Sequence, residues 1–180
     1  MYLQNVIYQE AAGICKLCDF GLSRLMPPGV SKLDPEHLGT GGTPAYQGPE
    51  VLKRHPIGFR VDLYGFGIMI WEMFTSTLPW SDCDLEQMTR RVALANERPP
   101  VPRDMPAEYA TVMQHCWASD PSNRPDFAKL LPVIHQLKAA HPVPASPYMI
   151  SASAPQQPRR APPASGPVRY LSCRSGWRAC

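Results

Sequence analysis

The stretch that most limits how this chain can fold is DLYGFGIMIWEMF, residues 62–74. Wound as a helix, it carries apolar side chains on nearly every face, so other elements must enclose it on several sides rather than cover one. Its most apolar run, 66–74, is too short to cross a bilayer and contains Glu72, so it reads as a buried helix of a globular protein. In a chain of 180 residues with ordinary hydrophobicity there is room for one such core.

The rest of the pattern supplies candidate neighbours. NVIY (5–8) and GICKL (13–17) read as two short strands joined by a turn. Residues 26–44 are dense in Pro and Gly and form a long loop, of a length that is usually functional or disordered. LEQMTRRVALANE (85–97) is an amphipathic helix ended by the prolines of RPPVP, and AEYATVMQHCW (107–117) is another helix. A last helix starts near Asp126 with Phe127, Leu130, Leu131, Ile134 and Leu137 on one stripe; Pro132 inside it should kink it or cost about 3 kcal/mol. Residues 1–140 thus form a mostly helical domain with a small strand pair at its front. Residues 141–180, rich in Pro, Ala and Ser and without hydrophobic periodicity, are expected to be a disordered tail.

Charge and cysteine content exclude several classes. The tail holds Arg159, Arg160, Arg169, Arg174 and Arg178 with no Asp, Glu or Lys, so the whole-chain charge of +3 leaves the body at −2. A basic nucleic-acid-binding face on the body is not indicated, and no membrane association is expected. Cys15 and Cys18 form a Cys-x-x-Cys, but no second Cys or His pair follows at a zinc-site spacing, and they alternate with apolar residues as half-buried strand thiols do. The first ten residues have neither a basic start nor a long apolar run, so no secretory signal is visible and a cytoplasmic, reducing location is expected.

Five motifs then occur in order: Asp-Phe-Gly at 19–21, GTPAYQGPE at 42–50, VDLYGFG at 61–67, LPWSD at 78–82 and CWASDPSNRPDF at 116–127. Together they resemble the C-terminal lobe of a protein kinase over about residues 1–138. The Gly-Thr-x-x-Tyr of the second motif, combined with the Cys-Trp-x-x-Asp-Pro-x-x-Arg-Pro-x-Phe of the last, is most similar to the tyrosine-kinase-like group of serine/threonine kinases. The implied fold is α+β by family and mostly α-helical here, with the N-terminal lobe absent from this chain. The implied activity is transfer of the ATP γ-phosphate to a hydroxyl of a protein substrate, with Mg²⁺.

The resemblance assigns roles to particular residues. Asp19 would bind Mg²⁺ facing the ATP phosphates, Gly21 would permit the backbone turn after it, and Phe20 would be an apolar peg with alternative seats. Asn5, fourteen residues before Asp19, fits the asparagine that closes the catalytic loop and binds a second Mg²⁺; alone it reads equally well as a turn residue. Ile7 would lie under the adenine and Cys18 would line the back of that pocket, although both also suit ordinary core packing. Thr43 would shape the surface that meets substrate. Glu50 would pair with Arg124, while Gly48 and Gln47 depart from the family pattern and are expected to loosen their loop. Asp62 would cap the apolar helix and hold the catalytic-loop backbone. Tyr64 stands where Trp is usual, and Met69 and Met73 resemble anchors beneath the adenine stack. Ser23, Ser31, Thr40 and Thr43 are candidate phosphorylation sites in or beside the long loop.

The chain contains no match to the catalytic-loop aspartate, the phosphate-binding lysine or the Gly-rich loop of the family. Counting back from Asn5 places the expected base one position before Met1. The expectation is a kinase fragment inactive in isolation, with the 62–74 helix left bare on the side that a preceding helix would cover. The alternative is a non-catalytic, pseudokinase-like interaction module whose Pro/Arg tail binds adaptors.

Overall fold

A computed structural model describes residues 3–9, 13–37 and 41–142. The front of the molecule is a two-stranded antiparallel ribbon of β1 (Val6–Gln9) and β2 (Ile14–Leu17). Its register pairs Val6 with Leu17 and Gln9 with Ile14. Behind it follow α1 (Pro49–Leu52), α2 (Val61–Thr75), α3 (Leu85–Met88), α4 (Ala107–Cys116) and α5 (Phe127–Ala140). The helix-rich body with one small strand pair is the architecture the sequence pattern implied.

α2 is the axis of the core. Leu63, Tyr64, Ile68, Met69, Ile70 and Trp71 are all buried, which is how a helix apolar on most faces must be housed. It meets α4 at close range. A Cβ on Gly67 would lie 3.0 Å from Cys116 Cβ and 3.1 Å from the Met113 carbonyl oxygen, so only glycine lets the two backbones approach this far. Val92, Met105, Val112, Met113, Cys116, Trp117, Leu130 and Leu137 complete the same cluster.

Several local expectations change. Asp62 is the second residue of α2 rather than its N-cap; Arg60 occupies the cap, with its guanidinium on Pro121 O and Ser122 O rather than on the helix end. The tight turn before it starts the helix early, with the Val61 amide already bonded to Gly58 O at 3.1 Å. Asp62 is exposed on that first turn. The 85–97 helix is capped by Asp84, whose carboxylate accepts from the Gln87 amide at 2.8 Å, but beyond Met88 it widens into a π-helix, Thr89–Leu94. It stops at Asn96, whose φ of +60° breaks the winding before the prolines are reached. α5 is capped by Asp126 as expected, accepting from the Lys129 amide at 2.7 Å. Its inward stripe is narrower, however: Leu130 and Leu137 are buried and Ile134 packs on the core, whereas Phe127 and Leu131 face out. Pro132 sits on the exposed side of this helix.

The expected bare flank on α2 is confined to its last turn, where Met73 is 50 % exposed and Phe74 is also uncovered. Exposed apolar surface instead follows the ribbon and the segment after it, through Ile14, Leu17, Phe20, Leu22 and Leu25. The reason is that α4, the Pro44–Tyr46 turn and the short turn Leu3–Asn5 pack on α2, while of the ribbon itself only Val6 is buried against the core. The tail expectation lies outside the described residues beyond Pro142.

Candidate functional site

The ribbon register decides what lies beside Asp19. One step beyond the Val6–Leu17 pair, Cys18 donates its amide to Asn5 O at 2.9 Å and its thiol to the same oxygen at 3.4 Å. Asp19 is the next residue, so Asn5 and Asp19 share one end of the ribbon. Asp19 has φ +56°, a left-handed conformation that aspartate tolerates better than most residues, and its Oδ1 accepts from the Gly21 amide at 3.3 Å. The special backbone position is therefore Asp19 itself, whereas Gly21 carries no positive φ. The left-handed position read for Gly21 thus belongs to Asp19, while a Cβ on Gly21 would lie 3.3 Å from Asp19 Oδ1, the oxygen that accepts from the Gly21 amide.

Ile7 pairs with Lys16 across the ribbon and is half-buried, as is Cys18. Phe20 is 65 % exposed and has no seat in the core, so it is not a peg in this conformation. Met69 is buried in the core of α2, while Met73, one turn on, faces out. Asp19 and Asn5 offer one carboxylate and one amide oxygen. Among the described residues no group of three or more His, Cys, Asp or Glu side chains could hold a metal alone. Two protein oxygens suit Mg²⁺ that completes its octahedron with phosphate and water, and do not suit a cage built of protein alone.

A second group lies on and beneath the 41–50 segment. Glu50 and Arg124 are 7 % and 1 % exposed and form a two-pronged pair, Nη1–Oε1 2.6 Å and Nη2–Oε2 2.8 Å. Arg124 also donates through Nε to Ala118 O at 2.8 Å and through Nη1 to Arg60 O at 3.0 Å. Gly48 is buried directly over this carboxylate: a Cβ there would come within 2.7 Å of Glu50 Oε2. Gln47 reaches back to Gly41 O at 3.3 Å. Gln47 thus bonds back within its own segment, and the missing Cβ at Gly48 leaves room for the Glu50 carboxylate. Thr43 is exposed at the entry to the turn Pro44–Tyr46, where its carbonyl accepts from the Tyr46 amide at 3.2 Å. Ser23 and Ser31 are exposed in the loop after Asp19, and Thr40 lies outside the described residues.

Two features had no assigned role in the sequence. Tyr46 donates its hydroxyl to Glu72 Oε2 at 2.7 Å, both residues being buried. Burial pushes the Glu72 carboxyl above its ordinary value, and the Tyr46 bond offsets part of that rise. A single carboxylate inside an apolar helix was the available signal, because it needs a buried donor. The guanidinium groups of Arg98 and Arg124 each lie over the Tyr64 ring, 5.2 Å from its centre. Burial raises its phenol to about 12, against the pull of Arg98 and Arg124, and its hydroxyl has no hydrogen-bond partner among the described residues.

Residues 1–134 match the family described as protein tyrosine and serine/threonine kinase. A probable serine/threonine-protein kinase of Dictyostelium discoideum is 34% identical over 139 residues, 77% of this chain and 14% of that protein. The serine/threonine/tyrosine-protein kinase HT1 of Arabidopsis thaliana is 36% identical over 67% of the chain and 30% of its own length. Human mitogen-activated protein kinase kinase kinase 11 is 33% identical over 69% of the chain and 14% of its own length. The chain spans less than a third of the length of each of these relatives. The match over most of the described body, together with the helix-rich architecture and its single strand pair, identifies the chain as a member of the protein tyrosine and serine/threonine kinase family.

Proposed function

We propose that this chain contributes the magnesium-binding and substrate-facing side of a serine/threonine protein kinase and transfers no phosphate by itself. The observation that carries this reading is the Cys18–Asn5 backbone bond, which sets Asn5 beside the Asp19 turn. In this reading Asp19 and Asn5 hold Mg²⁺ on the ATP phosphates, and Ile7 and Cys18 border the adenine. Thr43 faces the protein substrate. When bound, MgATP would supply the transferable phosphoryl group; the chain's own residues orient it. Asp19 keeps its carboxylate on the ribbon end through its left-handed turn. The Glu50–Arg124 pair holds the substrate-facing segment to the body. The positions that would supply a base and a phosphate-gripping lysine have no match in these residues, which supports silence in isolation. No helix among the described residues is long and apolar enough to cross a membrane.

Calorimetric titration with ATP in the presence of Mg²⁺, and a phosphate-transfer assay on a generic Ser/Thr protein substrate, test this together. Expected are Mg²⁺-dependent nucleotide binding that Asp19→Ala removes, and no transfer. Transfer abolished by Asp19→Ala would overturn the proposed silence, and binding unchanged by that substitution would overturn the metal site. A second reading, an interaction module without catalysis, draws support from the exposed apolar side chains of the ribbon segment. It predicts no nucleotide binding at all.

A further inference from the structure

Arg98 closes the junction between the end of the 85–94 helical stretch and the end of α4. Its Nε donates to Trp117 O at 2.9 Å, and its Nη1 to Glu97 O at 2.6 Å and Val92 O at 3.4 Å. Its Nη2 donates to Ser119 Oγ at 2.7 Å. Three carbonyls and a hydroxyl present only partial negative charge. Among the described residues no carboxylate pairs with this guanidinium, since Glu97 is bonded to Arg91 and Glu50 to Arg124. Arg124 lies over the same Tyr64 ring. Burial disfavours the Arg98 charge most, Tyr64 and Glu50 offset part of that, and Arg124 adds to the penalty. Two guanidinium groups here share the carboxylate of Glu50 alone, so this corner of the molecule is short of negative charge.

Ser119 is placed to carry that charge. Its hydroxyl already touches Arg98 and donates to Asn96 Oδ1, and both Ser119 and Asn96 are exposed, which leaves room for a larger group on Oγ. The neighbouring Asp120 has its carboxylate on the Ser122 amide at 2.8 Å, so this acidic side chain is engaged elsewhere. Arg124 Nη2 reaches the Ser119 carbonyl at 3.4 Å, which sets a second guanidinium beside the same residue. A half-buried guanidinium without a carboxylate, bonded to an exposed hydroxyl, gains charge-assisted bonds when that hydroxyl becomes a phosphate.

We propose that Ser119 is a phosphorylation site and that Arg98 receives the phosphate. A separate serine kinase with MgATP supplies it. The bond from Ser119 Oγ to the γ-phosphorus forms, the bond from that phosphorus to ADP breaks, and the hydroxyl proton leaves. The phosphate then takes the Nη2 donor of Arg98. The Asn96 carboxamide, having lost the hydroxyl that donated to it, turns its own amide hydrogens toward the new oxygens. Residues 96–98 and 117–119 are then joined by an ion pair where a hydrogen bond to a neutral hydroxyl stood. The site uses none of the residues proposed to hold MgATP and rests on no catalysis by this chain.

For the test, Ser119 of the full 180-residue chain is replaced by phosphoserine through encoded incorporation, and phosphorus NMR follows its second ionisation. Without a partner this ionisation lies near pH ~6. In the folded chain it is expected about 1 pH unit lower than in the same chain unfolded in urea, with a urea midpoint above that of the unmodified chain. Arg98→Gln is expected to remove both effects. Arg98→Lys, which keeps the charge on a single ammonium and serves where the glutamine variant does not fold, is expected to retain only part of them. Equal ionisation in the folded and unfolded chain, or a shift unchanged in the Arg98 variants, would overturn Arg98 as the receiver. A urea midpoint lowered by the phosphate would overturn the closing of the junction. Incubation of the unmodified chain with MgATP and an acidophilic serine kinase, chosen for Asp120 directly after the acceptor, is expected to label Ser119 and to leave that position unlabelled in Ser119→Ala. No label at Ser119 in the wild type would overturn the site itself.

Discussion

Arg124 divides its guanidinium among Glu50, Ala118 and Arg60, and so ties together the 41–50 segment, the end of α4 and the start of α2. Truncating it strands a buried carboxylate. Arg124→Ala is therefore expected to lower the unfolding free energy by about 3–5 kcal/mol in urea titration. Arg124→Lys should recover only part of this, since an ammonium cannot engage both oxygens in the same fork. Glu72 makes stability depend on pH. Its folded-state value lies above the ordinary carboxylate range because burial disfavours the charge. In the window between those two values the folded chain keeps a proton that the unfolded chain has lost, so stability falls as pH rises through it and levels off above it. Glu72→Gln keeps an acceptor for the Tyr46 hydroxyl and should flatten this part of the stability–pH curve while stabilising the chain at neutral pH. A slope unchanged in the variant would assign the pH dependence to another group.

At the scale of elements, the contact between α2 and α4 is the most demanding packing in the body. Gly67→Ala inserts a methyl where Cys116 Cβ and two backbone atoms already lie at 3.0–3.1 Å. Overpacking of this kind costs about 1–3 kcal/mol, readable as a lowered denaturation midpoint with unchanged slope. Sequence periodicity located the helices well because a helix is a local object, and its apolar spacing is written within one or two turns. It located their partners less well. The stripe on α5 was read too wide: Leu131 has the right spacing but stays exposed, and Phe127 is covered only in part, by the edge of the Phe66 ring. The π-helix Thr89–Leu94 was not legible, since widening the winding by one residue per turn leaves no compositional mark. The tight turn at Gly58–Val61 moved the start of α2 ahead of Asp62, a shift of the size by which helix ends commonly differ from their sequence signals.

Across the whole molecule, the covered and uncovered surfaces divide sharply. α2 is enclosed, whereas Leu17, Phe20, Leu22 and Leu25 stand exposed along one continuous stretch of chain from the ribbon onward. Such surface binds apolar dyes and promotes association. The folded chain is expected to enhance ANS fluorescence and to scatter light with increasing concentration, and Phe20→Ser with Leu25→Ser should reduce both without lowering the thermal midpoint. A dye-silent, monodisperse wild type would contradict this. The sequence by itself determined the helical body, the strand pair, the order of the kinase motifs and the identity of the charged residues, because each is a property of neighbouring residues or of a short spacing. Tertiary structure alone decided which apolar residues are covered, that Tyr46 is the donor for Glu72, and that Asp19 rather than Gly21 takes the left-handed turn. It also decided that Arg98 and Ser119 meet. These depend on surfaces brought together from distant parts of the chain, and no local pattern records which of several equally apolar faces will find a partner.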